Sequence, residues 1–127
     1  MERTEVLAYW LAGAEEDRQA AAHLLAAGHY HWSLFLAHLA IEKMLKAAIA
    51  KTGVEVPFTH DLVRLARTAN LTLTEDGARE LNEITAFNIA ARYDDYSRSF
   101  FLKATREFAQ KWLSTCQSWF DRVKSVL

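Results

Sequence analysis

Apolar residues recur at steps of three and four along most of the chain, which is the spacing of one face of an α-helix. The first such stretch predicts a helix from Thr4 to Gly28, where a glycine commonly ends a helix. The second covers Tyr30 to Lys51 and stops at Gly53. Because this second helix is apolar on most sides, we expect it to be central and buried.

Three further helices complete the pattern. The segment Thr59–Asp61 offers N-cap oxygens for a short third helix that ends near Asn70, and Thr74 caps a fourth that fades near Arg92. Between Tyr93 and Lys103 the pattern is aromatic and irregular, which predicts a loop with room for a turn of helix. The last helix carries a regular apolar seam that either closes the core of the monomer or pairs with a second subunit. The seam consists of Ala109, Trp112, Cys116, Trp119, Val123 and Val126.

Composition narrows the class of protein. The chain has 127 residues with one proline and four glycines, which favours long helices and a single domain over residues 1–127. A net charge of -1 excludes a polycation that binds DNA with its whole surface. The lone Cys116 excludes a disulfide framework and a cysteine-based zinc site. With no targeting signal and no membrane-spanning stretch in the sequence, we expect a cytoplasmic protein.

Polar residues on the second helix form the first candidate site. His38, Glu42 and Lys46 lie on one stripe, with Lys43 beside it. One interpretation is an ordinary Glu42–Lys46 pair at the rim of the core, which contributes roughly 0.2–0.5 kcal/mol. The other is that the stripe lines a cleft, where Glu42 orients a basic residue from another helix.

The segment of residues 88–101 is the second candidate site, because charged and aromatic residues crowd together where the fourth helix ends. Tyr93 and Tyr96, with Phe100 and Phe101, have rings that could stack on bases in a locally basic region. Alternatively, these rings plug the end of the bundle, and Asp94, Asp95 or Glu42 pairs with Arg92. Arg92 is the central residue in both interpretations.

Standard catalytic and cofactor signatures are absent from the sequence. There is no glycine-rich phosphate loop, no Gly-x-Ser-x-Gly and no His-Glu-x-x-His. His29, His31 and His38 with Glu42 provide a single His-x-x-x-Glu step, whereas a di-metal bundle requires ligand motifs on two helices. The sequence therefore predicts no metal and no organic cofactor, and it assigns Cys116 to the core.

Three motifs together resemble the HEPN family (higher eukaryotes and prokaryotes nucleotide-binding). Residues 38–47, HLAIEKMLKA, resemble the signature of its central helix, and residues 59–62, THDL, resemble its His-Asp-Leu step. Residues 87–96, FNIAARYDDY, resemble its Arg-Tyr-Pro-x-Tyr element. The order and spacing of the motifs match as well, and the similarity extends from Trp10 to the last helix.

The resemblance implies an all-α, up-and-down bundle of about five helices that usually forms a homodimer. It also implies a small nucleotidyltransferase partner, in a pair that often behaves as toxin and antitoxin. In ribonuclease members of the family, an arginine followed after four to six residues by a histidine cuts RNA. Arg92 matches that arginine, but Ser97, Arg98 and Ser99 stand where the histidine is expected, and Asp94 replaces the proline.

An arginine stabilises phosphate charge but does not give up its proton near neutral pH. The sequence therefore favours a protein that binds a nucleotide, RNA or a nucleotidyltransferase partner, without the usual ribonuclease chemistry. The predicted ligand-binding residues are Glu42, Lys43, Lys46, Arg92, Tyr93 and Tyr96. The alternative is an active toxin ribonuclease, independent of metal, that uses Arg92 with a displaced base such as His60.

Overall fold

Helices make up the regular structure of this chain. The computed structural model describes the backbone of residues 2–92 and 94–127 and the side chains of residues 2–90 and 98–127. This part of the chain contains six helices and no strand, which confirms the all-α prediction. The helices are α1 (Arg3–Ala26), α2 (Tyr30–Thr52), α3 (Leu62–Thr68), α4 (Glu75–Arg92), α5 (Asp94–Lys103) and α6 (Arg106–Lys124).

The apolar helix α2 is the centre of the bundle, as its sequence predicts. It packs along α1 and α6 and also contacts α3, α4 and α5. Its aliphatic side chains Leu34, Ile41, Leu45 and Ile49 are fully buried. Because α2 is covered on nearly every side, its few polar residues must find partners inside the protein.

Local capping signals set the ends of several helices. Asp61 caps α3 by accepting hydrogen bonds from the backbone N–H groups of Val63 and Arg64, and the Thr74 hydroxyl accepts one from Gly77 at the start of α4. At the end of α2, Gly53 adopts a left-handed conformation with φ of 85°. That conformation favours glycine, because it strains residues with a Cβ atom.

The apolar seam of α6 closes the core of the chain itself. Ala109, Cys116, Trp119 and Val123 are buried, whereas Val126 at the end of the seam is exposed. Burial raises the pKa of the Cys116 thiol to about 12, so Cys116 stays protonated and has the core role that the sequence predicts.

The predicted loop between residues 93 and 103 is wrong, because Asp94–Lys103 forms helix α5. Phe100 explains part of the difference, since its buried ring stacks on Phe87 of α4 with ring centroids 5.5 Å apart. This contact depends on the tertiary structure and has no local periodic signal. The sixth helix, beyond the predicted five, is α5.

None of the described helices combines the length and the apolar character that crossing a bilayer requires.

Replacing Phe87 by alanine tests the aromatic packing beneath α5. The buried ring of Phe87 contacts the rings of Phe100, Phe108 and Trp112. We expect Phe87→Ala to lower the free energy of unfolding by about 3–5 kcal/mol, measured by urea denaturation. The matched control is Phe58→Ala, because the Phe58 side chain is fully exposed and its loss should change stability by less than about 0.5 kcal/mol. Equal losses in the two variants would contradict this packing.

Candidate functional site

A stripe of polar residues on α2 forms the centre of the candidate site. His38, Glu42 and Lys46 lie on successive turns, and all three are buried. A buried carboxylate is costly unless donors surround it, so the partners of Glu42 determine how the site is built.

Both oxygens of the Glu42 carboxylate have donors. Lys46 Nζ lies 3.1 Å from Oε2, and His60 Nδ1 lies 2.7 Å from Oε1. Lys46 Nζ also lies 5.1 Å from the centre of the Trp10 ring on α1, a favourable position for a cation over an aromatic face. The predicted Glu42–Lys46 pair is therefore present, inside the protein, with a third partner from outside α2.

The contact with Glu42 determines the tautomer of a neutral His60 ring. A carboxylate only accepts hydrogen bonds, so His60 Nδ1 carries the proton that is donated to Glu42. The opposite nitrogen, Nε2, then has a free lone pair. Because the His60 side chain is 51% exposed, this ring combines a buried anchor with contact to solvent.

The backbone around His60 is held by two further groups. His38 Nε2 lies 3.2 Å from the carbonyl oxygen of His60 and donates to it, while Asp61 N donates to the Thr59 hydroxyl. Asp61 in turn caps α3. The THDL segment therefore fixes both the start of α3 and the position of the His60 ring.

His38 is a neutral positioning residue. Burial lowers the pKa of its ring below the ordinary value, and the nearby Glu42 opposes that shift. Its ring nitrogen Nδ1 has no hydrogen-bond partner among the described residues. The sequence places His38 on the stripe without predicting that it positions another site residue. Its spacing of one turn from Glu42 is the sequence signal for that positioning role.

Lys43 lies apart from the Glu42 cluster. Its Nζ atom is 2.7 Å from Asp17 Oδ2, an ion pair that joins α2 to α1. The aliphatic part of Lys43 also packs closely over Gly13 of α1. Among the predicted ligand-binding residues, the structure therefore brings Glu42 and Lys46 together and gives Lys43 a contact between helices.

Three predicted site residues cannot be related to this cluster. Arg92 ends α4, but its side chain, Tyr93 and the side chain of Tyr96 lie outside the described residues.

Trp10 was not predicted as part of the site, because no local spacing links it to Lys46.

The buried His38 predicts a loss of stability at acid pH. Its folded-state pKa lies below the ordinary value of 6.5, so under mildly acid conditions the unfolded chain binds a proton that the folded chain does not. The contribution of His38 to stability is therefore complete above about pH 6.5 and is lost as the pH falls toward the lower folded-state pKa.

The variant His38→Gln keeps a nitrogen donor but cannot titrate. Between about pH 7.5 and about pH 5, we expect its free energy of unfolding, measured by urea denaturation, to fall less than that of the unaltered protein. The control His23→Gln changes an exposed histidine and should retain the original pH dependence. Parallel curves for His38→Gln and the unaltered protein would rule out this account.

Comparison with known proteins agrees with the helical architecture. The family model of the HEPN domain matches residues 7–126. The crystal structure of TT1696 from Thermus thermophilus superposes with a TM-score of 0.81 at 25% sequence identity, covering 95% of this chain and 98% of that one. The curated proteins contain no significant match. Because the family model spans nearly its whole length, the chain belongs to the HEPN family, and this membership supports a role connected with nucleotides or RNA.

Proposed function

We propose that this HEPN protein binds RNA or a nucleotide at a site that includes the exposed edge of His60. The observation that carries the proposal is the 2.7 Å contact between His60 Nδ1 and Glu42 Oε1, which leaves the outer ring nitrogen available to a ligand. A phosphate group is a suitable ligand for the protonated form of the ring, in which Nε2 also carries a hydrogen and donates a charge-assisted hydrogen bond.

Glu42 and Lys46 act in this proposal by holding His60. Both side chains are at least nine-tenths buried, so they offer little surface to a ligand. In addition, Lys46 neutralises the carboxylate and prevents an uncompensated negative charge from repelling a phosphate. Arg92, Tyr93 and Tyr96 supply the proposed phosphate and base contacts, because an arginine stabilises phosphate charge and tyrosine rings stack on bases.

The proposed biological setting is a cytoplasmic toxin-antitoxin-type module. Its components are a homodimer of this chain, with one HEPN domain over residues 1–127, and a minimal nucleotidyltransferase partner. The support for this assembly is membership of the HEPN family together with the three sequence motifs.

Arg92→Ala tests the binding function. We expect this variant to bind a short single-stranded RNA more weakly by about 1.5–3 kcal/mol, measured by fluorescence anisotropy, because a charge-assisted contact to phosphate is lost. Binding by the unaltered protein should also weaken as salt is added.

The matched control is Arg79→Ala. Arg79 belongs to the same helix and pairs at the surface with Asp76, so its removal should leave RNA affinity unchanged. If the two variants bind alike, Arg92 is not a phosphate contact, and an ion pair within the protein becomes the better account of this residue.

A second candidate function is ribonuclease activity with His60 as the displaced base. The Glu42 contact orients His60 and leaves Nε2 able to accept a proton from a ribose 2′-hydroxyl. The 2′-oxygen would then attack the adjacent phosphorus, and the imidazolium would return the proton to the departing 5′-oxygen. Arg92 would stabilise the charge on the phosphate.

Incubation with single-stranded RNA separates the two functions. We expect the RNA to stay intact over hours, because the histidine of the arginine-histidine pair is missing from residues 97–99. Cleavage that disappears in both His60→Ala and Arg92→Ala would instead establish the ribonuclease. Cleavage that survives both substitutions would identify a contaminating enzyme.

A further inference from the structure

A cleft at one end of the bundle lies beyond the His60 site and is used by neither candidate function. It has a volume of about 470 Å³, opens to solvent and is lined by the start of α1, the end of α2 and residues 53–56. Its walls include Trp10, Val54 and Val56, and it has two charged lining residues, Arg3 and Glu55. A mostly apolar cleft with a few convergent polar groups is the usual form of a small-molecule site.

The cleft continues the polar stripe of α2. Ala50, which lines the cleft, lies one turn beyond Lys46, and Lys46 contacts the Trp10 ring that forms a cleft wall. The step from Glu42 to Ala50 spans about 12 Å along the helix axis. The Lys46–Trp10 contact therefore connects the buried Glu42 cluster to a wall of the cleft.

Gly53 allows the Arg3 guanidinium to lie close to the end of α2. A Cβ atom at residue 53 would collide with that guanidinium, and the left-handed backbone there also favours glycine. Neither Arg3 nor Glu55 forms an ion pair with another described residue. Both charges are therefore available to a ligand within the described part of the chain.

We infer that this cleft binds a guanine base. Guanine has the acceptors O6 and N7, which an arginine contacts with two hydrogen bonds, and an exocyclic amino donor that adenine lacks at that position. Glu55 offers a carboxylate that accepts from the donor edge of guanine, and Arg3 offers donors to the acceptor edge. Trp10 provides an aromatic surface for stacking. The inference rests on the proposed function, because it adds a base subsite to a site for RNA or a nucleotide.

Calorimetric titration of the full chain with GMP and with AMP tests this subsite. We expect the affinity for GMP to exceed the affinity for AMP by about tenfold or more. In Glu55→Gln, GMP binding should weaken by about tenfold or more, because the amide group has one accepting oxygen and no charge, whereas the carboxylate has two accepting oxygens. Glu55 is exposed, so this substitution should leave the fold intact.

The matched control is Glu16→Gln. Glu16 is also exposed, and it lines a different cleft that borders Trp10, so its replacement should leave GMP binding unchanged. Equal affinity for GMP and AMP, no effect of Glu55→Gln, or a loss in Glu16→Gln instead would each overturn the assignment.

A second arm identifies the source of the guanine. The affinity for a short single-stranded RNA that contains one guanine is compared with the affinity for the same RNA with adenine at that position. Both affinities are measured for the unaltered protein and for Glu55→Gln. A preference for the guanine-containing RNA that Glu55→Gln abolishes supports a base within a strand as the source. If RNA binds through Arg92 without a guanine preference, the guanine subsite is wrong while the proposed function stands.

Discussion

The buried carboxylate of Glu42 is the interaction on which the candidate site depends. Removing a carboxylate from water costs several kcal/mol unless nearby donors compensate it. Lys46 supplies one donor from the same helix, whereas the other comes from His60 in the segment before α3. Because the second donor comes from another part of the chain, its contact with Glu42 also positions the loop that carries His60.

This arrangement connects the core of the bundle to its surface. The central helix α2 contacts each of the other five helices, so its turns cannot shift without disturbing the core. From this fixed helix, Glu42 contacts the side chain of His60, and His38 donates a hydrogen bond to the backbone carbonyl of His60. The His60 ring is thereby oriented by the interior of the protein while half of its surface stays in solvent. Such rigid support is what a binding or proton-transfer group requires.

Sequence patterns predicted the parts of the fold that depend on interactions between residues close together in the sequence. The periodicity of α2, the glycine at its end and the cap at Thr74 all depend on neighbours within a few residues. Helix α5 was missed, because Phe100 makes its contact with Phe87 of another helix. The Glu42–Lys46 pair follows from helical spacing. In contrast, the approach of Trp10 to Lys46 depends on how α1 packs against α2, which a single sequence does not specify.

The same reasoning separates His60 from the other histidines of the chain. His23 and His29 are exposed and make no contact with a carboxylate among the described residues, while His38 is buried. The pKa of His31 is lowered, first by burial and then by the nearby His29, which disfavours the protonated form of this ring. Among the histidines, which all lie in the described part of the chain, His60 alone combines a carboxylate partner with an exposed ring, so the proposed phosphate contact uses this histidine. A substitution at Glu42 consequently acts on folding and on the site together, because it removes the anchor of that ring and leaves the Lys46 ammonium buried without its anion.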